Sequence, residues 1–187
     1  MAILPVTVYG DKILRKKTSP VEEVDMKTIE LIKNMFDTMR NASGVGLAAN
    51  QVGVDEAIFV VDISVVDGYE HIKPMVFINP EIVETSEETV DIEEGCLSIP
   101  DIRHEINRPE KVKIKYYDVD MKEQIIEADE LLARVIQHEY DHLQGVLFID
   151  KLSEAALKKI KNDLAKIKSR RVDTDYPISE KMDYILK

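Results

Sequence analysis

A single cysteine, Cys96, leaves this 187-residue chain without a partner for an internal disulfide, which suits a reducing compartment and points to the cytoplasm. Long apolar runs are missing as well. Ala57-Ile58-Phe59-Val60-Val61 is typical of the longest, far short of the roughly 20 residues a membrane-spanning helix needs. The start, Met1-Ala2-Ile3-Leu4-Pro5, has no basic stretch leading into an apolar core, so no secretory signal is expected. Basic residues are in deficit, 25 Lys and Arg against 36 Asp and Glu for a net charge of −11. That balance disfavours a surface built as a whole to bind DNA or anionic lipid. Internal repeats and low-complexity tracts are absent too, which excludes solenoids and linker-rich arrays.

What is present has material for one sizeable core, with 44% hydrophobic residues spread along the chain. One catalytic domain is expected over residues 1–170, with 171–187 as a tail. The last dozen residues, with Pro177 and scattered charges, read as loosely ordered. Thr18 to Val24 reads as extended. Asp25 is a good N-cap for a helix from about Met26 to Asn41, with Ile29, Ile32, Phe36 and Met39 as its buried stripe and Ser43-Gly44 as its end. From Ala57 to Asn107 the texture is β: Ile58–Ile63, Met75–Asn79, Glu81–Glu84 and Arg103–Ile106, with turns at Asp67-Gly68 and Asn79-Pro80. Lys111 to Asp118 alternates, Val112, Ile114 and Tyr116 inward, and Gln124 to Ala128 reads as its partner. A helix then runs from an N-cap at Asp129 to Leu143, with Gly145 as breaker, and another begins near Ser153 with Leu157, Ile160, Leu164 and Ile167 inward. Strands followed by a helix give an α+β class: an antiparallel β-rich body around a central helix, flanked by N-terminal and C-terminal helices.

The central helix carries Gln137-His138-Glu139-Tyr140-Asp141-His142. Residues four apart share a helix face, so His138 and His142 can offer two imidazoles to one divalent ion. Glu139, beside the first ligand, is placed to take a proton from a bound water. A third ligand has to come from elsewhere. His71, His104, Glu93 and Glu94 are candidates, but Gly95 beside Cys96 implies a backbone approached closely, which favours the thiol. Three protein ligands with water in a fourth position form a catalytic pattern. Glu139 would pass the proton to a leaving amine, and the Gln51 side chain or the Leu97 N–H would donate to an oxyanion. The chemistry reached is metal-assisted hydrolysis of an amide or ester. Gly44-Val45-Gly46-Leu47-Ala48-Ala49-Asn50-Gln51 lacks the Gly-Lys-Ser/Thr ending of a phosphate loop; its two glycines and small residues fit either a backbone that another group approaches closely or a turn feeding a strand.

Three stretches together, Gly44 to Gln51, Glu94-Gly95-Cys96-Leu97-Ser98 and Gln137 to His142, resemble peptide deformylase in order and separation, over about Leu4 to Lys168. The resemblance implies removal of the formyl group from the N-terminal formylmethionine of new polypeptides, releasing formate. It puts the metal ligands on Cys96, His138 and His142, the catalytic carboxylate on Glu139, and the oxyanion donors on the Gln51 side chain and the Leu97 backbone. The implied ion is Fe²⁺, with Ni²⁺, Co²⁺ or Zn²⁺ as substitutes. The peptide would lie extended against Gly44, Gly46 and Gly95. Its methionine would enter a pocket walled by Val45, Leu131 and Val135, with Arg134 at the rim. The alternative reading is a zinc endopeptidase, which would want a third ligand downstream, where Glu154 is the nearest carboxylate. A non-catalytic metal-stapled module is the other competitor. Lys158 to Arg171 holds seven basic residues against Asp163 alone. Such a run is ordinarily a solvated face, yet on an acidic chain a confined basic helix also fits contact with ribosomal RNA.

Overall fold

A computed structural model describes residues 2–181 and 183–186. Its first helix, α1 (Met26–Asn41), begins where Asp25 accepts the Thr28 N–H at 2.9 Å, satisfying one of the orphan donors of the first turn. The buried face is Thr28, Leu31, Ile32, Met35, Thr38 and Met39. That face is rotated from the expected stripe: Ile29 is 40% exposed, and Phe36 is half-buried with the Arg40 guanidinium 5.2 Å over its ring. Leu31 and Met35 turn inward because Leu4, Leu47 and Val60 supply the apolar partners on that side.

A five-stranded antiparallel sheet follows. Its members are β1 (Gly46–Ala48), β2 (Ile58–Val61) and β3 (Met75–Thr85), then β6 (Lys111–Tyr117) and β7 (Glu123–Asp129), in the spatial order β1-β2-β3-β6-β7. β3 runs straight through Asn79-Pro80, expected as a turn. Asn79 takes φ +49° and the register shifts between Ile78 and Glu81, so the pair makes a bulge, not a break. The remaining strands, β4 (Thr89–Cys96) and β5 (Ile99–Pro109), form a separate hairpin. Only the Arg103–Ile106 part of it was expected, since the acidic residues of β4 blur its alternation.

Helix α2 (Glu130–Leu143) lies against the sheet, where Ala133, Ile136 and Leu143 meet Ala48, Phe59, Phe77 and Ile114. Asp129 occupies its N-cap position without a side-chain cap bond, and Gly145 follows at φ +74°. Helix α3 (Glu154–Lys168), capped by Ser153, buries Leu164 and Ile167 against Ile99, Ile102 and Phe148. The α+β class expected from the sequence is the one observed.

The tail is not loose where it is described. Arg170 pairs with buried Asp11, and Ser179 donates to the same carboxylate at 2.5 Å. Ile178 bridges Val6 in parallel, through Val6 N–H to the Pro177 carbonyl at 2.9 Å and Ser179 N–H to the Val6 carbonyl at 2.8 Å. Leu186 N–H reaches the Gly53 carbonyl at 3.0 Å. These partners are more than 120 residues away in sequence, which is why composition alone misread the segment. Met182 and Lys187, also covered by that expectation, lie outside the described residues.

Candidate active site

The packing of α2 on the sheet turns His138, Glu139 and His142 inward, at 9%, 4% and 1% exposure. The hairpin brings Cys96 to them from the far side. Its Sγ lies 3.2 Å from His142 Nε2, and the donor atoms of Cys96, His138 and His142 all lie within 4.8 Å of one another. Tetrahedral ligation with metal–sulfur near 2.3 Å and metal–nitrogen near 2.0 Å places donors roughly 3.3–3.6 Å apart, so this spacing fits one divalent ion. Among the described residues no other set of three such side chains converges. The alternatives from the sequence point elsewhere: His71 is exposed, His104 faces its neighbour's carbonyl, and Glu93 sits near Arg103 at the surface.

Glu94, weighed as a ligand, holds a ligand instead. Its Oε2 accepts from His138 Nδ1 at 2.9 Å, which fixes the Nδ1–H tautomer and leaves the Nε2 lone pair free for an ion. The same carboxylate receives Arg108 Nε at 2.6 Å, Arg108 Nη2 at 2.9 Å and Arg134 Nη1 at 2.7 Å. Burial alone would raise the Glu94 carboxyl, but the bonds from His138 and Arg108 hold it well below the usual carboxylate range. Arg108 continues to Asp141 on α2 at 2.6 Å, and Arg134 to the carbonyls of Ile106 and Val90 at 2.7 and 2.6 Å. Arg134, expected at a pocket rim, is thus 4% exposed and ties α2 to both hairpin strands.

Desolvation pulls both ligand imidazoles towards the neutral form. His142 is driven well below its ordinary value by burial, with the electrostatic effects of neighbouring His138 and Arg108 adding, whereas Cys96 and Glu94 overcome burial and raise His138. A cysteine sulfur converging on two buried imidazoles, backed by a buried carboxylate, suits a cation. Glu139 is pushed up to about 7, chiefly by burial, and its Oε2 has no protein partner among the described residues.

Gln51 sits in the short 3₁₀ turn Ala49–Val52. Its Oε1 accepts from Ala48 N–H at 2.8 Å, which turns Nε2 towards Cys96 Sγ at 3.5 Å and Ser98 Oγ at 3.1 Å. Next to it, Asn50 Nδ2 donates to the His142 carbonyl at 2.6 Å and anchors the end of α2. Leu97 occupies the two-residue turn between β4 and β5, where Cys96 pairs with Ile99.

A cleft of about 780 Å³ opens over this group. Gly44, Val45 and Gly46 line it, as do Gln51, Gly95, Cys96, Leu97, Leu131, Arg134, Val135, His138 and Glu139. So the structure gathers around one cleft the residues that the family resemblance assigns to the site, with His142 buried beneath. The glycines differ in how much depends on them. A Cβ at Gly46 would stand 2.5 Å from Glu139 Oε1 and 2.8 Å from Val135 Cγ1, and one at Gly44 would meet Leu97 Cδ1 at 3.0 Å. At Gly95 only the Arg103 side chain is near, at 3.3 Å and beyond. Sequence reasoning missed Arg108 and Asn50, which hold the site from behind, and the tail residues Asp173 to Tyr176, which line the cleft. Glu94 was within reach, since residues two apart on a strand share a face with Cys96.

Comparison with known proteins gives a consistent picture. The family model described as polypeptide deformylase matches residues 3–158. A peptide deformylase of Chlorobium phaeobacteroides is 46% identical across 99% of this chain and 100% of its own length. One from Salinibacter ruber is 48% identical across 97% of this chain and 96% of its own. Among solved structures, the peptide deformylase of Legionella pneumophila superposes with a TM-score of 0.82 at 40% identity, covering 91% of this chain and 98% of that one. A plant peptide deformylase gives 0.84 at 35% identity, covering 96% and 98%.

Proposed function

This chain belongs to the peptide deformylase family, and from that premise we propose that Cys96, His138 and His142 hold its divalent ion while Glu139, Gln51 and Leu97 carry out the reaction. The protein is a metal-dependent hydrolase that removes the N-terminal formyl group from formylmethionine of newly synthesised polypeptides. The observation that carries the assignment of roles is the convergence of three soft and borderline donors on one point, beside a buried carboxylate, at the floor of an open cleft.

Two strand edges flank that cleft. Among the described residues β1 ends the five-stranded sheet and β4 pairs only with β5, so each keeps one free side. An extended peptide adds between them by backbone hydrogen bonds, with Gly44, Gly46 and Gly95 admitting it and the methionine side chain on Val45, Leu131 and Val135. When bound, the ion supplies Lewis acidity, acidifying the attacking water and polarising the formyl carbonyl. Glu139 takes a proton from that water. The water oxygen bonds the formyl carbon, and the Gln51 side-chain N–H and the Leu97 N–H donate to the oxygen that becomes negative. Glu139 then returns its proton to the methionine nitrogen as the C–N bond breaks, leaving formate and a free amine.

Imidazole and thiolate ligands suit several ions; the family supports Fe²⁺ as the working one, with Ni²⁺, Co²⁺ or Zn²⁺ able to replace it. The catalytic unit is residues 1–170, with 171–187 a tail, and the setting is the cytoplasm. No helix among the described residues is long and apolar enough to cross a membrane. The exposed lysines of α3, Lys158, Lys159, Lys161 and Lys166, fit contact with ribosomal RNA near emerging chains. Such binding weakens steeply with salt, and co-sedimentation with ribosomes that survives charge reversal at all four would discard it. The endopeptidase alternative is not favoured, since Cys96 completes the donor set and Glu154 lies exposed at the start of α3. Formate release from formyl-Met-Ala-Ser by iron-loaded, anaerobically prepared protein tests the whole reading, and none at all would refute it.

A further inference from the structure

The tail reaches the reaction centre. After Arg170 and Ser179 fasten it to buried Asp11, the stretch between them runs along the cleft, and Thr174 Oγ1 braces it by donating to the Tyr176 carbonyl at 2.7 Å. From there the Tyr176 hydroxyl donates to the Leu97 carbonyl at 2.8 Å.

That bond completes a set of three around the turn after Cys96. Ser98 Oγ accepts from Gln51 Nε2 at 3.1 Å, and the Ser98 carbonyl accepts from Tyr9 N–H at 2.8 Å. Both of those hold Ser98. Only the tail holds the Leu97 carbonyl among the described hydrogen bonds. The N–H and C=O of one residue flank the same Cα, so clamping the carbonyl restricts the direction of the N–H through φ and ψ. On the other side the chain is fixed by Cys96 in its pairing with Ile99.

We propose that Tyr176 is a positioning residue for deformylation, aiming the Leu97 N–H by holding the Leu97 carbonyl. This rests on the reading of Leu97 as an oxyanion donor. Losing such a donor outright costs about a hundred- to a thousandfold in kcat. Releasing its anchor while Gln51 and Tyr9 still hold Ser98 costs less, about tenfold, because small displacements of aligned donors are already felt.

Tyr176→Phe keeps the ring and removes only the hydroxyl, and Tyr184→Phe, a tail tyrosine packed on Gly53, is the control. With formyl-Met-Ala-Ser, Tyr176→Phe should lower kcat about tenfold with KM within about threefold, and the control should match wild type. In the zinc-loaded, diamagnetic protein the Leu97 and Ser98 amide resonances should move and exchange faster in Tyr176→Phe, with those of α3 unchanged. Wild-type kcat, or an unmoved Leu97 amide, overturns the proposal. So does a fall in kcat that comes with lost zinc or with shifts throughout β5 and α3, which would make the role merely structural. Wild-type protein that releases no formate is a different failure: it removes the deformylase reading itself, and the proposal with it.

Discussion

The Glu94 carboxylate accepts His138 Nδ1 at 2.9 Å while its other oxygen receives Arg108 and Arg134 at 2.6 and 2.7 Å. One buried side chain therefore orients a metal ligand and joins β4, β5 and α2. Glu94→Gln keeps the volume but removes the charge. Metal affinity should fall about 10–100-fold, as it does when a ligand's partner is lost, and the apoprotein should lose about 3–5 kcal/mol because buried Arg134 loses its carboxylate partner and Arg108 is left with Asp141 alone. Chelator competition and urea unfolding of the apoprotein read the two effects separately.

Among the described residues Glu139 Oε2 finds no hydrogen-bond partner, and Glu139 is no part of the converging donor set. Glu139→Gln should therefore keep full metal content and lower kcat by about 10²–10⁴-fold, the scale of general acid–base catalysis. Loss of the ion in that variant would show that Glu139 is a ligand.

Gly46 and Gly95 line the same cleft but should answer differently to alanine. At Gly46 the new methyl would press on Glu139 Oε1 and Val135. Both are buried on α2 and cannot withdraw, so kcat should fall at least tenfold, a displacement effect on an aligned group. At Gly95 the flexible, exposed Arg103 side chain can move aside, so kcat should stay within about threefold and the loss should fall on KM, where the methyl meets the incoming peptide. Equal losses in the two variants would contradict this placement of the carboxylate.

Asp62, at the end of β2, accepts Arg40 of α1 at 2.8 Å and Ser64 Oγ at 2.6 Å. Burial opposes its charge, but these bonds win and hold it below the ordinary aspartate value of 3.8. A depressed folded value means the stabilisation is full above the unfolded value and is lost as pH falls through the folded one. Asp62→Asn should thus cost about 1–3 kcal/mol at neutral pH, and the gap from wild type should close below about pH 4. A gap that does not change with pH would show that the charge contributes nothing.

How far the sequence could be read depended on range. The starts of all three helices and the ends of α1 and α2 were legible because their signals are local: Asp25 and Ser153 cap within three residues, and Gly145 stops α2. His138 and His142 were legible because four residues make one turn. The thiol had to compete with two histidines and two glutamates, since nothing local says which of them the hairpin carries to α2. Glu94 bonds partners 14, 40 and 44 residues away, and Tyr176 bonds one 79 residues away. Contacts of that span leave no periodic trace, so the carboxylate was read as a spare ligand and the tail as loose.

The central claim is that one ion is held by one sulfur and two imidazole nitrogens. X-ray absorption of the zinc-loaded protein reads that directly. The expected first shell has one sulfur at about 2.3 Å and two nitrogens at about 2.0–2.1 Å, with a light-atom ligand completing it, and Cys96→Ser should erase the sulfur. A wild-type spectrum with no sulfur, or with more than one, would contradict the account.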